Sequence, residues 1–166
     1  MWAWRTLSPK GPFNTQTTAT GAIGNQNAKA YATSGTTGST TNVQVVILMT
    51  DGYNHWANIS GDPNASAYSS LGFYVNGRLG STNVNTYRSL MDAQTLEACT
   101  NAKAAGVQIY TVGFSIPSDP IDSDGLSLLQ NCATKTTMAY IAQDGSTLIA
   151  TFQSIAQQMS GLRLTN

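Results

Sequence analysis

The stretch VQVVILMTDG, Val43 to Gly52, decides the fold. Val43 to Met49 is β-branched or apolar throughout, save for Gln44. A nearly continuous apolar run of this length reads as a strand covered on both faces, the kind that parallel sheets contain. The run ends in Thr50, Asp51 and Gly52, so a carboxylate is delivered at the carboxyl end of a buried strand. The polar turn that follows carries the chain's single histidine, His55. Asp51 can be there for chemistry, for a metal, or to make the turn.

The chain downstream alternates helix and strand. Met91, Thr95, Ala98, Ala102 and Ala105 share one face of a helix expected over 87–105, and its small residues allow close approach to a sheet. Gly106 offers the left-handed C-terminal cap. VQIYTVGFS (107–115) is the second strand, ended by Pro117 and Pro120. DSDGLSLLQNCA gives a short helix starting at Ser123 or Asp124. TMAYIAQD (137–144) is the third strand. Leu148, Phe152, Ile155, Met159 and Leu162 recur at helical spacing in a last helix, with Asp144, Ser146 and Thr147 as available caps. Strand–helix alternation with right-handed crossovers predicts an α/β fold: a partial doubly wound parallel sheet of Rossmann-like type, in three αβα layers. Ligands of such sheets sit at the carboxyl ends of the strands, which puts Asp51 and Asp144 on the functional edge.

Residues 1–42 are of a different character. WAWRTL reads as a helix end, stopped at Ser8-Pro9, and a start in mid-helix with two tryptophans suggests an internal methionine of a longer protein. Residues 14–42 are poor in large apolar groups, and TSGTTGSTTN (33–42) is nearly of low complexity. Such a segment reads as flexible, with one short helical turn around Asn27 to Tyr31. The expected organisation is a helix remnant and a Ser/Thr/Gly-rich flexible segment over 1–42, then one α/β unit over 43–166 with an insertion loop at 53–87. Within that insertion, LGFYVNGRLG (71–80) flanks Asn76-Gly77 with apolar residues, the pattern of a small β-hairpin.

Bulk composition removes several function classes. The 166 residues fit one domain, and Lys plus Arg balance Asp plus Glu at 8 each, with only 10% of residues charged. A nucleic-acid partner would want a basic stripe, and a membrane surface a polybasic patch. No apolar run approaches the roughly 20 residues that span a bilayer. The N-terminus lacks the apolar core of a signal peptide. Solvation falls to Ser, Thr, Asn and Gln, a bias commoner outside the cytoplasm. The two cysteines, Cys99 and Cys132, form no CxxC pair, and with one histidine they make no zinc site at ordinary spacing. They form one disulfide or remain two buried thiols; an oxidising compartment favours the disulfide.

Chemical motifs are sparse. GFSIP (113–117) is the nearest approach to the G-x-S-x-G elbow of serine hydrolases, but it lacks the second glycine and leads into no helix. His55 is the only candidate general base, and an Asp51–His55 pair without a placed nucleophile is not a triad. An α/β hydrolase fragment using these two residues is the alternative of another class. Neither phosphate-binding glycine pattern follows a strand. DPIDSDG (119–125) fails as a calcium loop, because Pro120 would take its first ligand position and Asn131 its last. Its acids fit better as helix caps.

A strand ending in LMTDG before a long loop resembles the third metal-site motif of von Willebrand factor A (vWA) domains. The likeness narrows further. WAWRTLSP, VVILMTDGYN, YVNGRLG, ACTNAKAAGVQIYTVGF, LLQNCA and FQSIAQQMSGLRLT, in that order, resemble the C-terminal half of TadG-like proteins of the bacterial Flp (tight-adherence) pilus-assembly system. The resemblance covers most of residues 2–10 and 43–166. It implies a non-enzymatic adhesion or assembly module of the cell envelope that works by protein–protein contact outside the cytoplasm. The full-length protein would be membrane-anchored. A generic vWA adhesin with its specificity in the 53–87 insertion is the nearby alternative.

The metal-ion-dependent adhesion site of vWA domains combines an Asp-x-Ser-x-Ser loop, a threonine from a second loop, and the Asp of this third motif. No Asp-x-Ser-x-Ser stands at a strand end here. Only Asp51 carries over, with Thr50 and Gly52 shaping its turn. The expectation is no cofactor in this chain, with Mg²⁺ or Mn²⁺ belonging to a complete domain. The early strands of the sheet are also missing, so the Val43–Thr50 strand is expected to have an unpaired edge.

Overall fold

The computed structural model describes residues 2–11, 31, 43–56, 59–64, 66–69 and 71–161. Three strands form among them: Val45–Thr50 (β1), Gln108–Phe114 (β2) and Ala139–Ala142 (β3). They pair in parallel in the order β1-β2-β3, with Val46 opposite Ile109 and Thr111 opposite Ala139. A short helix, Trp2–Leu7 (α1), precedes the sheet. Tyr87–Ala104 (α2) crosses from β1 to β2, Ser123–Cys132 (α3) crosses from β2 to β3, and Gly145–Gly161 (α4) follows β3. This is the expected α/β fold, a part of a doubly wound parallel sheet with helices on both faces.

The strand period of two sorts the core into two layers. On one face, Val46 and Leu48 of β1 and Ile109 of β2 meet Cys99 and Ala102 of α2 and Cys132 of α3, with Trp4 and Leu7 of α1 packed alongside. On the other face, Tyr110 and Val112 of β2 lie against Ile155, Leu148 and Met159 of α4. Thr111 is fully buried between strands, and its hydroxyl is satisfied by donating to the Leu129 carbonyl at 3.0 Å. Gly113 sets how closely α3 approaches: a Cβ there would stand 2.9 Å from Cδ1 of both Leu129 and Ile141.

Cys99 and Cys132 form a disulfide that ties α2 to α3, with Cα atoms 5.2 Å apart. Of the two states open from sequence, the bonded one is realised. No helix among the described residues is long and apolar enough to cross a membrane.

The helix ends follow local chemistry. Gly106 takes φ of 88°. Its N–H donates to the Lys103 carbonyl and that of Val107 to the Ala102 carbonyl, the paired bonds of a Schellman ending. Helix α3 is capped by Asp122, one residue before the expected start, and its carboxylate accepts from the Gly125 N–H at 2.9 Å. Asp144 caps α4, accepting from the Thr147 N–H at 2.7 Å and from the Ser146 hydroxyl at 2.6 Å. The third strand is shorter than its sequence pattern, because residues 136–138 wind into a 3-10 turn.

Two expectations are corrected. The β-hairpin around Asn76-Gly77 does not form; Tyr74–Asn76 is a 3-10 turn closed by Gly77 in the left-handed region. A type I′ hairpin needs positive φ at both central residues. Here Asn76 instead turns its side-chain oxygen back to accept from the Phe73 N–H at 2.9 Å, and its own N–H donates to the Phe73 carbonyl. The apolar flanks serve a satellite core, in which Leu79, Trp56 and Tyr87 are buried and Leu71 and Tyr74 pack against them. The second correction concerns β1. It is an edge strand whose Val46/Leu48 face is covered by described residues, while on the other face Val45 packs against the Tyr110, Val112 and Ile155 cluster but Ile47 is 39% and Met49 45% exposed. Phe152, expected on the buried stripe of α4, is 38% exposed. The flexible segment expected over 14–42 lies outside the described residues apart from Tyr31. Leu162 and the helical turn expected around Asn27 also lie outside them.

Candidate functional site

Asp51 leaves the carboxyl end of β1 as an exposed bend residue. The Thr50 hydroxyl closes the turn locally, accepting from the Gly52 N–H and donating to the Gly52 carbonyl, both at 3.2 Å. The chain then passes over the start of α2 and is held there. The Arg88 guanidinium lies 4.4 Å from the centroid of the Tyr53 ring, and the Asn54 amide donates to Asp92 at 2.7 Å. Arg88 also makes a two-pronged pair with Asp122, at 2.5 and 2.6 Å, with Asp92 at 3.8 Å from its Nε. One arginine thereby joins the β1–α2 loop to the N-terminal ends of α2 and α3. His55 is exposed and stands edge-on to Tyr53, ring centroids 6.1 Å apart. Asp51 and His55 make no hydrogen bond to each other. Asp144 is on the same sheet edge, beyond β3, and is occupied as the α4 cap.

Asp51 does not fit a divalent cation in this arrangement. Its neighbour Thr50 is committed to Gly52, and among the described residues no three of His, Cys, Asp or Glu come together as a metal site. Mg²⁺ wants six oxygens at near-octahedral geometry. Replacing Asp51 by alanine is therefore expected to change stability by no more than about 1 kcal/mol, as for an exposed residue with no partner among the described residues. Calorimetric titration of the 166-residue chain with Mg²⁺ or Mn²⁺ is expected to show no tight binding that depends on Asp51. Unfolding of Asp51→Ala, or micromolar binding lost in it, would contradict this.

The carboxylates with shifted acidity are others. Arg88, and then the Gly125 N–H, lower the Asp122 pKa to about 2. The Ser146 hydroxyl and Thr147 N–H lower that of Asp144 to about 2. Unfolded aspartates titrate near about 3.9. The stabilisation from both groups is thus complete above that value and lost as pH falls toward 2. Urea midpoints compared at about pH 6 and about pH 2.5 should fall less in the double variant Asp122→Asn, Asp144→Asn than in the unaltered chain. An equal fall in both would contradict the assignment.

A second feature of the site is the open side of β1. The Gln108 N–H donates to the Gln44 carbonyl at 2.9 Å, with Val45 opposite Gln108 in register. In an extended strand a residue's N–H and C=O point to the same edge, and the direction alternates. The backbone groups of Val46 and Leu48 therefore face β2, and those of Val45, Ile47 and Met49 face the open edge. The exposed Ile47 and Met49 side chains lie on the α4 face of the sheet. The Gln158 amide reaches the Tyr140 hydroxyl of β3 at 2.7 Å. Ile149, opposite Gln158 on the helix at about 100° per residue, turns toward β1. Ile149 is 62% exposed, and Phe152 lies beside it.

Compared with known protein families, curated proteins and solved structures, the chain matches none of them. Sequence reasoning located Asp51, Thr50 and Gly52 on the sheet edge but missed Arg88, Asp92 and Asn54. The one available signal was Asp122 with Gly125 three residues later, an N-cap spacing that marks Asp122 as fixed in place.

Proposed function

We propose that this chain is a protein-binding assembly module, belonging to a TadG-like component of bacterial Flp pilus assembly with a vWA-type domain. It acts by contact and not by catalysis. The observation that carries the reading is the open edge of β1: a six-residue strand, VVILMT, whose outward backbone groups and outward Ile47 and Met49 side chains are both unmatched among the described residues. Free edges in natural sheets are blunted by lysine, proline or bulges, and β1 has none of these. Its occupant is a polypeptide strand laid along β1, with apolar residues that cover Ile47 and Met49. The Cys99–Cys132 disulfide supports a place in an oxidising compartment outside the cytoplasm. The order of the motifs from WAWRTLSP to FQSIAQQMSGLRLT supports the TadG-like assignment.

The test is genetic replacement in the source bacterium. Deletion of the gene should abolish Flp pili and the unaltered gene should restore them. The double variant Ile47→Lys, Met49→Lys should be present in normal amount and fail to restore them. Pili unaffected by the deletion would overturn the pilus assignment. Pili restored by the doubly charged variant would overturn the assignment to this face.

A further inference from the structure

The open edge of β1 is complementary to itself. Its outward backbone groups belong to Val45, Ile47 and Met49, evenly spaced about Ile47, and the side chains of these three residues share one face of the sheet. When two copies of β1 run antiparallel about a two-fold axis at Ile47, Val45 of one copy stands opposite Met49 of the other, and Ile47 stands opposite Ile47. These are the hydrogen-bonded positions of an antiparallel ladder, where each residue pair exchanges two N–H···O=C bonds. Within β1 no other antiparallel register pairs all three outward residues with one another. The same axis brings the partly exposed Ile47 side chains together and sets each Met49 beside a Val45.

Charge permits the same pairing. The strand VVILMT carries no charged residue. The nearest carboxylate, Asp51, falls opposite Val43 of the other copy. The two Asp51 residues then lie about 27 Å apart along the ladder, from about eight residues at ~3.4 Å each, well beyond the screening length of about 8 Å. The formal net charge of the chain is zero, so two copies meet without overall repulsion.

We propose that a second copy of this chain occupies the open edge of β1, strand against strand in antiparallel register about Ile47, joining the two three-stranded sheets into one. This rests on the open-edge reading of β1 given above and names the occupant. A two-fold contact of this kind uses the same patch on both copies and closes on itself, so association stops at the dimer. The outer edges of the joined sheet are then the four-residue β3 strands, and short edge strands resist further pairing.

Sedimentation equilibrium of the 166-residue chain should show monomer passing to dimer with a Kd of about 1 mM or tighter. Across the same concentration range the amides of Ile47 and Met49 should slow their exchange by at least about tenfold, while Val46 and Leu48 stay protected throughout. Ile47→Lys sets like charges opposite each other and should abolish the dimer, as should Ile47→Glu. An equimolar mixture of the two variants should associate at least about fivefold more tightly than either alone. A chain that stays monomeric with fast Ile47 and Met49 amides overturns the self-pairing and leaves the open edge standing. A monomer in which those amides are already protected overturns both, because the same chain then covers its own edge. Association that leaves these amides fast, or that survives in Ile47→Lys, runs through another surface and overturns the proposal. Should neither variant fold, the concentration dependence of the unaltered chain's amides decides the matter.

Discussion

Tyr87→Ala is expected to destabilise the protein by about 3–5 kcal/mol, the range for removing a large aromatic side chain from a core. Tyr87 begins α2 and is 1% exposed. Its ring packs against Trp56 and Tyr74, with centroids 4.9 and 5.5 Å away. Its hydroxyl sits between the carbonyl oxygens of Tyr74 and Ser81, 2.7 Å from the second. The loss therefore combines a cavity with a carbonyl left without its donor. Because these contacts are what fold the long loop onto α2, the loop should open along with the loss of stability. Trp56 fluorescence would report the loop and far-ultraviolet dichroism the sheet and helices. Tyr87→Phe keeps the ring and should show a smaller loss. A loss below about 1 kcal/mol for Tyr87→Ala would mean that the loop's order does not rest on this cluster.

Cys99→Ala, Cys132→Ala is expected to cost about 3–4 kcal/mol on the chain-entropy account, for a bridge that closes a loop of 33 residues. The bridge constrains the unfolded chain across all of β2, and in the native state it joins two helices already in contact on one sheet face. The effect should appear as a lower urea midpoint in the double variant, matched by the unaltered chain under a strong reductant. Thiol titration of protein unfolded without reductant should find no free thiols. Two free thiols per chain would contradict the bridge directly.

The sheet was readable because its signals are local. The run from Val45 to Thr50, the run from Gln108 to Phe114, the small-residue face of α2 and Gly106 each state their element within a few residues. The failures came where one local signal competed with distant contacts. Asn76-Gly77 favours a hairpin by itself, but Tyr87, thirteen residues after Tyr74, draws the segment into a 3-10 turn against Trp56 and Leu79. Arg88 could not be foreseen as a clamp, since its partners Tyr53 and Asp122 are far away in sequence and meet only when the crossovers close. The apolar pattern of β1 reports what its sequence is suited to bury. Among the described residues one of its faces is covered and the other only at Val45, and that mismatch is what directs attention to its open edge.

The central claim, that β1 keeps an unpaired edge receptive to another strand, is tested most directly by hydrogen exchange of its amides, resolved residue by residue. The amides of Val46 and Leu48 point to β2 and should be strongly protected. Those of Ile47 and Met49 point outward and should exchange at least about tenfold faster in the isolated chain, as solvent-exposed backbone does. The expected pattern is thus an alternation along a single strand. Ile47 and Met49 protected as well as their neighbours in the monomer would contradict the account, because their edge would then already be paired.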